Sequence, residues 1–175
     1  MTNPLLIVTN TPWWVFLLFA LLVALGVQAL GRRTMPLRRA FITPGVFIGW
    51  GLIGLALATR TTAAVIPAWA LAAVAGAALA WVSVRLEGLK VDHGRAAVEL
   101  PGSALPLIRN MVIFAAKYAF AVAMALRPGL RPELLPWDMA VSGAAFGYFV
   151  GWTLRFVLSY RRAAAPVLAA GGSAS

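Results

Sequence analysis

The sequence predicts an all-α membrane protein: five transmembrane helices with a short cytoplasmic β-hairpin between the third and fourth. Three observations predict it. Of the 175 residues, 62% are hydrophobic and only 11% are charged, whereas a soluble domain of this size carries roughly a quarter charged residues. Such a chain has too little polar surface to coat a globule in water, so lipid must cover much of it. The apolar residues gather into five runs, each near the ~20 residues that a helix needs to cross ~30 Å of hydrocarbon. The basic residues crowd the loops on one side of those runs and are sparse on the other.

Taken in order, Met1–Pro12 carries no basic residue, and no small-residue cleavage site follows the first run. A secretory signal peptide needs both, so the first run, Trp13–Leu30, is expected to be retained as a span. The second run, Ala40–Ala58, is broken by Pro44 and four glycines, but Pro44 falls in the first turn, where a missing N–H costs little. The third is Ala63–Val84. Between Leu86 and Leu100 the pattern changes: Leu89 and Val91 alternate with Lys90 and Asp92, His93-Gly94 supplies a turn, and Val98 and Leu100 flank Glu99. Period-two alternation around a turn reads as a β-hairpin. Isolated hairpins are marginal in water, so this one is expected to rest on helix ends or on a partner. The last two spans are Ala104–Leu126 and Met139–Leu158. Residues 1–162 then form a single transmembrane domain, and Ala163–Ser175 has the composition of a flexible tail.

Loop charge orients the set. Arg32, Arg33, Arg38, Arg39, Arg85, Lys90, Arg95, Arg161 and Arg162 lie on one face, against Arg60, Arg127 and Arg131 on the other. Basic loops stay cytoplasmic, which places the N-terminus outside, the C-terminus inside and the chain in an inner (cytoplasmic) membrane. Trp13, Trp14, Trp69 and Trp137 fall at outer helix ends, as an interfacial aromatic belt would. The net charge of +10 therefore reports orientation. Nucleic-acid binding is not expected, because no basic cluster sits on a recognition element.

Lys117 stands out because it lies in the middle of the fourth run, where an ionisable group is costly enough to mark a functional candidate. Ser103, Asn110, Lys117 and Met124 recur every seven residues and so share one slowly drifting stripe. Lys117 lies nine residues from Leu126, or about 13 Å at about 1.5 Å per residue, a long reach for snorkelling. Its amine is expected to face the bundle or a partner and to meet an oxygen: a carbonyl, a hydroxyl, an anionic lipid or a partner's carboxylate. Read as structural, Lys117→Met is neutral or slightly stabilising. Read as a binding residue, it forms with Asn110, Arg109 and Arg155 a candidate set for lipid, partner or anion binding. Arg109 and Arg155 lie near cytoplasmic helix ends, where snorkelling to phosphates also explains them. Gly143, Gly147 and Gly151 form two successive G-x-x-x-G steps that let another helix approach closely. Ala72, Gly76 and Ala80 repeat the device on the third run, and Gly45 with Gly49 on the second.

Much chemistry is excluded. There is no cysteine, so thiol redox and thiolate metal sites are out of reach. His93 is the only histidine and cannot assemble an axial haem pair or a three-ligand metal site. No cofactor is expected. Glu87, Asp92, Glu99, Glu133 and Asp138 all read as loop or helix-end residues, which leaves no intramembrane carboxylate pair for acid–base work.

The stretches Arg32-Arg33-Thr34-Met35-Pro36-Leu37, Leu100-Pro101-Gly102-Ser103 and Phe114-Ala115-Ala116-Lys117-Tyr118 resemble a family of small uncharacterised bacterial inner-membrane proteins. The stretch from Ala145-Phe146-Gly147-Tyr148 to Tyr160-Arg161-Arg162 is also similar to CcdC-like membrane proteins. Both groups have a basic first loop and a short polar insertion before the last two spans. The resemblance covers Arg32 to Arg162 and implies the same topology without an established activity. The CcdC name implies cytochrome c maturation, but direct thiol chemistry has no residue here to carry it.

These readings lead to a non-catalytic accessory or scaffold subunit that binds membrane lipids, through their anionic headgroups, or other membrane proteins. The alternative is a small transporter or permease-like protein with Lys117 at an anion site. Five spans cannot form two complete inverted halves, which counts against a typical secondary transporter.

Overall fold

The computed structural model describes residues 7, 9–60, 62–84, 90–92, 97–100 and 102–164. The described residues form five long helices and one small sheet: α1 (Trp13–Gln28), β1 (Arg33–Pro36), α2 (Leu37–Thr59), α3 (Val65–Ser83), β2 (Lys90–Asp92), β3 (Ala97–Leu100), α4 (Leu105–Leu126) and α5 (Arg131–Ala164). A single 3-10 turn, Pro128–Leu130, joins α4 to α5. Four of the helices are long and apolar enough to cross a membrane, whereas α1, at 16 residues, is shorter.

Helix ends depart from the expected runs where turn chemistry, not hydropathy, sets the boundary. Helix α2 begins three residues early because Pro36 caps it and Leu37, Arg38 and Arg39 already take helical conformation. The largest departure is α5, which starts at Arg131 and runs for 34 residues through Pro136. Prolines are tolerated in first turns, so Pro132 opens the helix. Pro136 forfeits one hydrogen bond without ending it. Glu133 and Asp138 therefore lie inside a helix and not in a loop, and Asp138 is buried.

The centre of the molecule is the pairing of α3 with α5. Gly143, Gly147 and Gly151 of α5 lie against the backbone of Trp69, Ala73 and Ala77 of α3, so a Cβ at any of them would run into main-chain atoms. Gly76 of α3 meets Ala144 in the same way. The small-residue stripe thus packs two helices of the same chain. Gly45 and Gly49 of α2 face open space, so the stripe read on that helix joins no neighbour. Helix α2 instead packs on α5 through Gly51 against Phe146 and through Phe47 stacked on Phe149 at 4.4 Å.

Helices α1 and α4 form a second pair. Gly26 lies against Leu107, Phe19 meets Phe114 at 5.2 Å between centroids, and the Thr11 and Tyr118 hydroxyls share a 2.7 Å hydrogen bond. Asn110 is the one residue of α4 that is buried. Most of its remaining surface, like the stripes Val46, Trp50, Ile53 and Leu57 of α2 and Leu71, Val74 and Val82 of α3, is apolar and turned outward.

Strand pairing is antiparallel in the order β1–β3–β2, with Val91 opposite Val98 and Thr34 opposite Glu99. The expected hairpin is therefore part of a three-stranded sheet. Its central strand, β3, pairs on the other side with Arg33–Pro36, a segment read from sequence only as a basic loop. Residues 85–89 and 93–96, including the His93-Gly94 turn, lie outside the described residues, as does the tail from residue 165. Val98 and Leu100 bury their side chains against Ala40, Ala80, Val84, Tyr148 and Phe156, so the sheet rests on helix ends. A second cluster, Ala58, Val65, Trp69 and Met139, closes the opposite end. Trp13, Trp14 and Trp137 are exposed, but Trp69 is buried against Phe146 and so does not join an aromatic belt.

Candidate functional site

Two polar constellations lie along the seam where α4 meets α5, and a cavity opens at one end of it. The first is centred on Lys117. Its ammonium lies 2.7 Å from Oδ2 and 2.6 Å from Oδ1 of Asp138, and donates to the Ser142 hydroxyl at 3.0 Å. Ser142 is one turn along α5 from Asp138 and donates back to the Asp138 carbonyl at 3.3 Å. The Asp138 side chain is 9% exposed and that of Lys117 36%, so the carboxylate is the buried member. The seven-residue stripe of α4 supplies the cation. The α5 helix supplies both oxygens because its first turns extend to Arg131. A carboxylate on the same chain was missed in the sequence because prolines 132 and 136 disguise the start of that helix.

The second constellation is Arg109 with Asn110. The Arg109 guanidinium donates from Nε and Nη2 to Asn110 Oδ1, at 3.3 and 3.0 Å. Its Cζ stands 4.3 Å over the Phe149 ring and 5.2 Å from that of Tyr148, positions where the π face attracts a cation. Asn110 is buried and its amide donates to the Leu22 carbonyl of α1 at 3.4 Å. The guanidinium is therefore held by α1, α4 and α5 together.

Arg109 forms part of the wall of a cavity of about 420 Å³. Its cationic and polar lining is Arg39, Arg109, Thr34, Thr43, Ser103 and Asn110, together with Gln28 from the end of α1. Leu25, Phe47, Phe149 and Trp152 make an apolar wall, and Met35 and Leu100 bring in the sheet. Among the described residues no carboxylate lines it. Pro44, also in the lining, has no N–H to give the Ala40 carbonyl, so the backbone there lacks its usual intrahelical donor.

The candidate residues thus divide. Arg109 and Asn110 come together at the cavity, Lys117 is committed to Asp138 and Ser142, and Arg155 lines neither feature. Arg39 and Thr34 were legible only as part of a basic loop. Thr34 reaches the cavity that Arg109 also lines through the β1–β3 pairing, and Arg39 through the first turn of α2. Among the described residues no three metal-ligating side chains gather.

Residues 3–167 match the family DUF6622, described as a family of unknown function. No curated protein matches the chain, and no solved structure does.

Proposed function

The chain belongs to the family of unknown function DUF6622, and we propose that this member is a multi-pass protein of the bacterial inner membrane with a non-catalytic role. It serves as an accessory or scaffold subunit that binds lipids or other membrane proteins. One observation carries the reading. The helices turn contiguous apolar stripes outward, among them Trp50, Ile53 and Leu57 on α2 and Leu71, Val74 and Val82 on α3. Large exposed apolar patches mark surfaces that a membrane or another protein covers. The excess of basic residues at the sheet end supports a cytoplasmic placement of that end. The similarity to CcdC-like proteins enters this reading as topology alone.

The alternative, a transporter with an anion site at Lys117, loses support because the amine is already neutralised by the Asp138 carboxylate. The test is gentle purification in mild detergent followed by native mass spectrometry. The proposal expects a retained lipid, a stoichiometric membrane-protein partner, or both. A chain that retains neither and moves a solute across liposomes would overturn it.

A further inference from the structure

The cavity at the sheet end combines features that one chemical class satisfies together. Arg39 and Arg109 both line it, together with the hydroxyl-bearing residues Thr34, Thr43 and Ser103. A guanidinium binds a phosphate through a planar fork of N–H donors, and holding that fork in place lowers the entropic cost of binding. The Arg109 guanidinium is held in place by Asn110, to which Nε and Nη2 both donate, and by the Phe149 ring. Leu25, Phe47 and Trp152 make part of the wall apolar. A free phosphate would leave that wall wet, whereas an acyl chain or glycerol backbone removes it from water. The volume, about 420 Å³, lies in the range of roughly 300–1,000 Å³ of small-molecule sites.

We infer that this cavity is a binding site for an anionic phospholipid, its phosphate held by Arg39 and Arg109 and the start of an acyl chain laid on Phe47 and Trp152. The inference rests on the membrane reading given above.

The experiment uses the full chain in mild detergent, exchanged against phosphatidylglycerol or phosphatidylcholine of the same acyl chains and read by native mass spectrometry. Phosphatidylglycerol should be retained about tenfold better, and Arg39→Gln and Arg109→Gln should each weaken that retention about tenfold, the effect of losing one charge-assisted hydrogen bond. Arg60→Gln and Arg127→Gln, away from the cavity, should leave it unchanged. Arg39 is exposed, so Arg39→Gln remains a fair test should Arg109→Gln fail to fold. Retention that is indifferent to Arg39→Gln, or equal for the two lipids, overturns the site while leaving the membrane reading intact. Inorganic phosphate that displaces the lipid at comparable concentration assigns the cavity to a free phosphoryl compound and overturns the lipid. A wild-type chain that retains no lipid and no membrane partner removes both readings.

Discussion

Lys117 and Asp138 depend on each other, because each would be a costly charge without its partner in the low-dielectric interior of a helix bundle. Removing one member of a buried pair costs about 3–5 kcal/mol, whereas replacing both with apolar residues is often neutral or stabilising. The expectation that Lys117→Met is neutral or slightly stabilising therefore does not survive the discovery of a same-chain carboxylate 2.6 Å away. Lys117→Met should now destabilise by about 2–3 kcal/mol, below the full buried value because the lysine side chain is 36% exposed. Asp138→Leu should cost a similar amount, and the double variant should recover most of the loss. A double-mutant cycle of thermal stability in detergent measures this. Additive losses would show that the pair contributes no coupling.

At the scale of the elements, the α3–α5 contact depends on the lack of side chains. Gly147 sits against the Ala73 backbone, which cannot shift as a flexible side chain would. Gly147→Leu must separate the helices, and overpacking of this kind costs about 1–3 kcal/mol or more. Gly49 lies on a helix of similar composition but faces open space. Gly49→Leu should stay within about 0.5 kcal/mol of wild type, as surface substitutions do. Comparing the two melting temperatures in the same detergent checks the prediction. Equal behaviour would mean that the α5 stripe does not pack as described. The sheet is bound to the helices by Val98 and Leu100, and it is this attachment that brings Thr34 and Met35 to the cavity wall.

At the scale of the whole molecule, helix length bears on how a bilayer would be crossed. Helix α5 has 34 residues and is about 51 Å long at about 1.5 Å per residue, enough to project beyond hydrocarbon of ~30 Å at one end or both. Helix α1, with 16 residues, reaches only about 24 Å on the same arithmetic, so a full crossing needs help from the residues before it or local thinning of the bilayer. The loop charges predict that a reporter after Arg162 is cytoplasmic, one near Arg127–Pro132 periplasmic, and a tag at the N-terminus periplasmic. Finding the first two on one side would sink the five-span arrangement. A cytoplasmic N-terminal tag would reduce it to four, with α1 lying along the inner side.

How much of this was legible in advance divides along a physical line. Hydropathy, glycine spacing and strand alternation are carried by residues a few positions apart, so the five helices, the α5 glycine stripe and the β2–β3 pairing could be read from the sequence by itself. Loop charge likewise proposes an orientation from local counts alone. The tertiary structure decided what depends on chain segments meeting. Arg33–Pro36 became a strand only because β3 had an unpaired edge beside it. Lys117 acquired its partner only because α5 begins at Arg131 and turns Asp138 and Ser142 toward α4. Arg39 and Arg109 share a cavity because that strand pairing and the α1–α4 contact bring distant parts of the chain to one place. No periodicity encodes such meetings, since they depend on how the helices pack in three dimensions and not on the order of residues within any one of them.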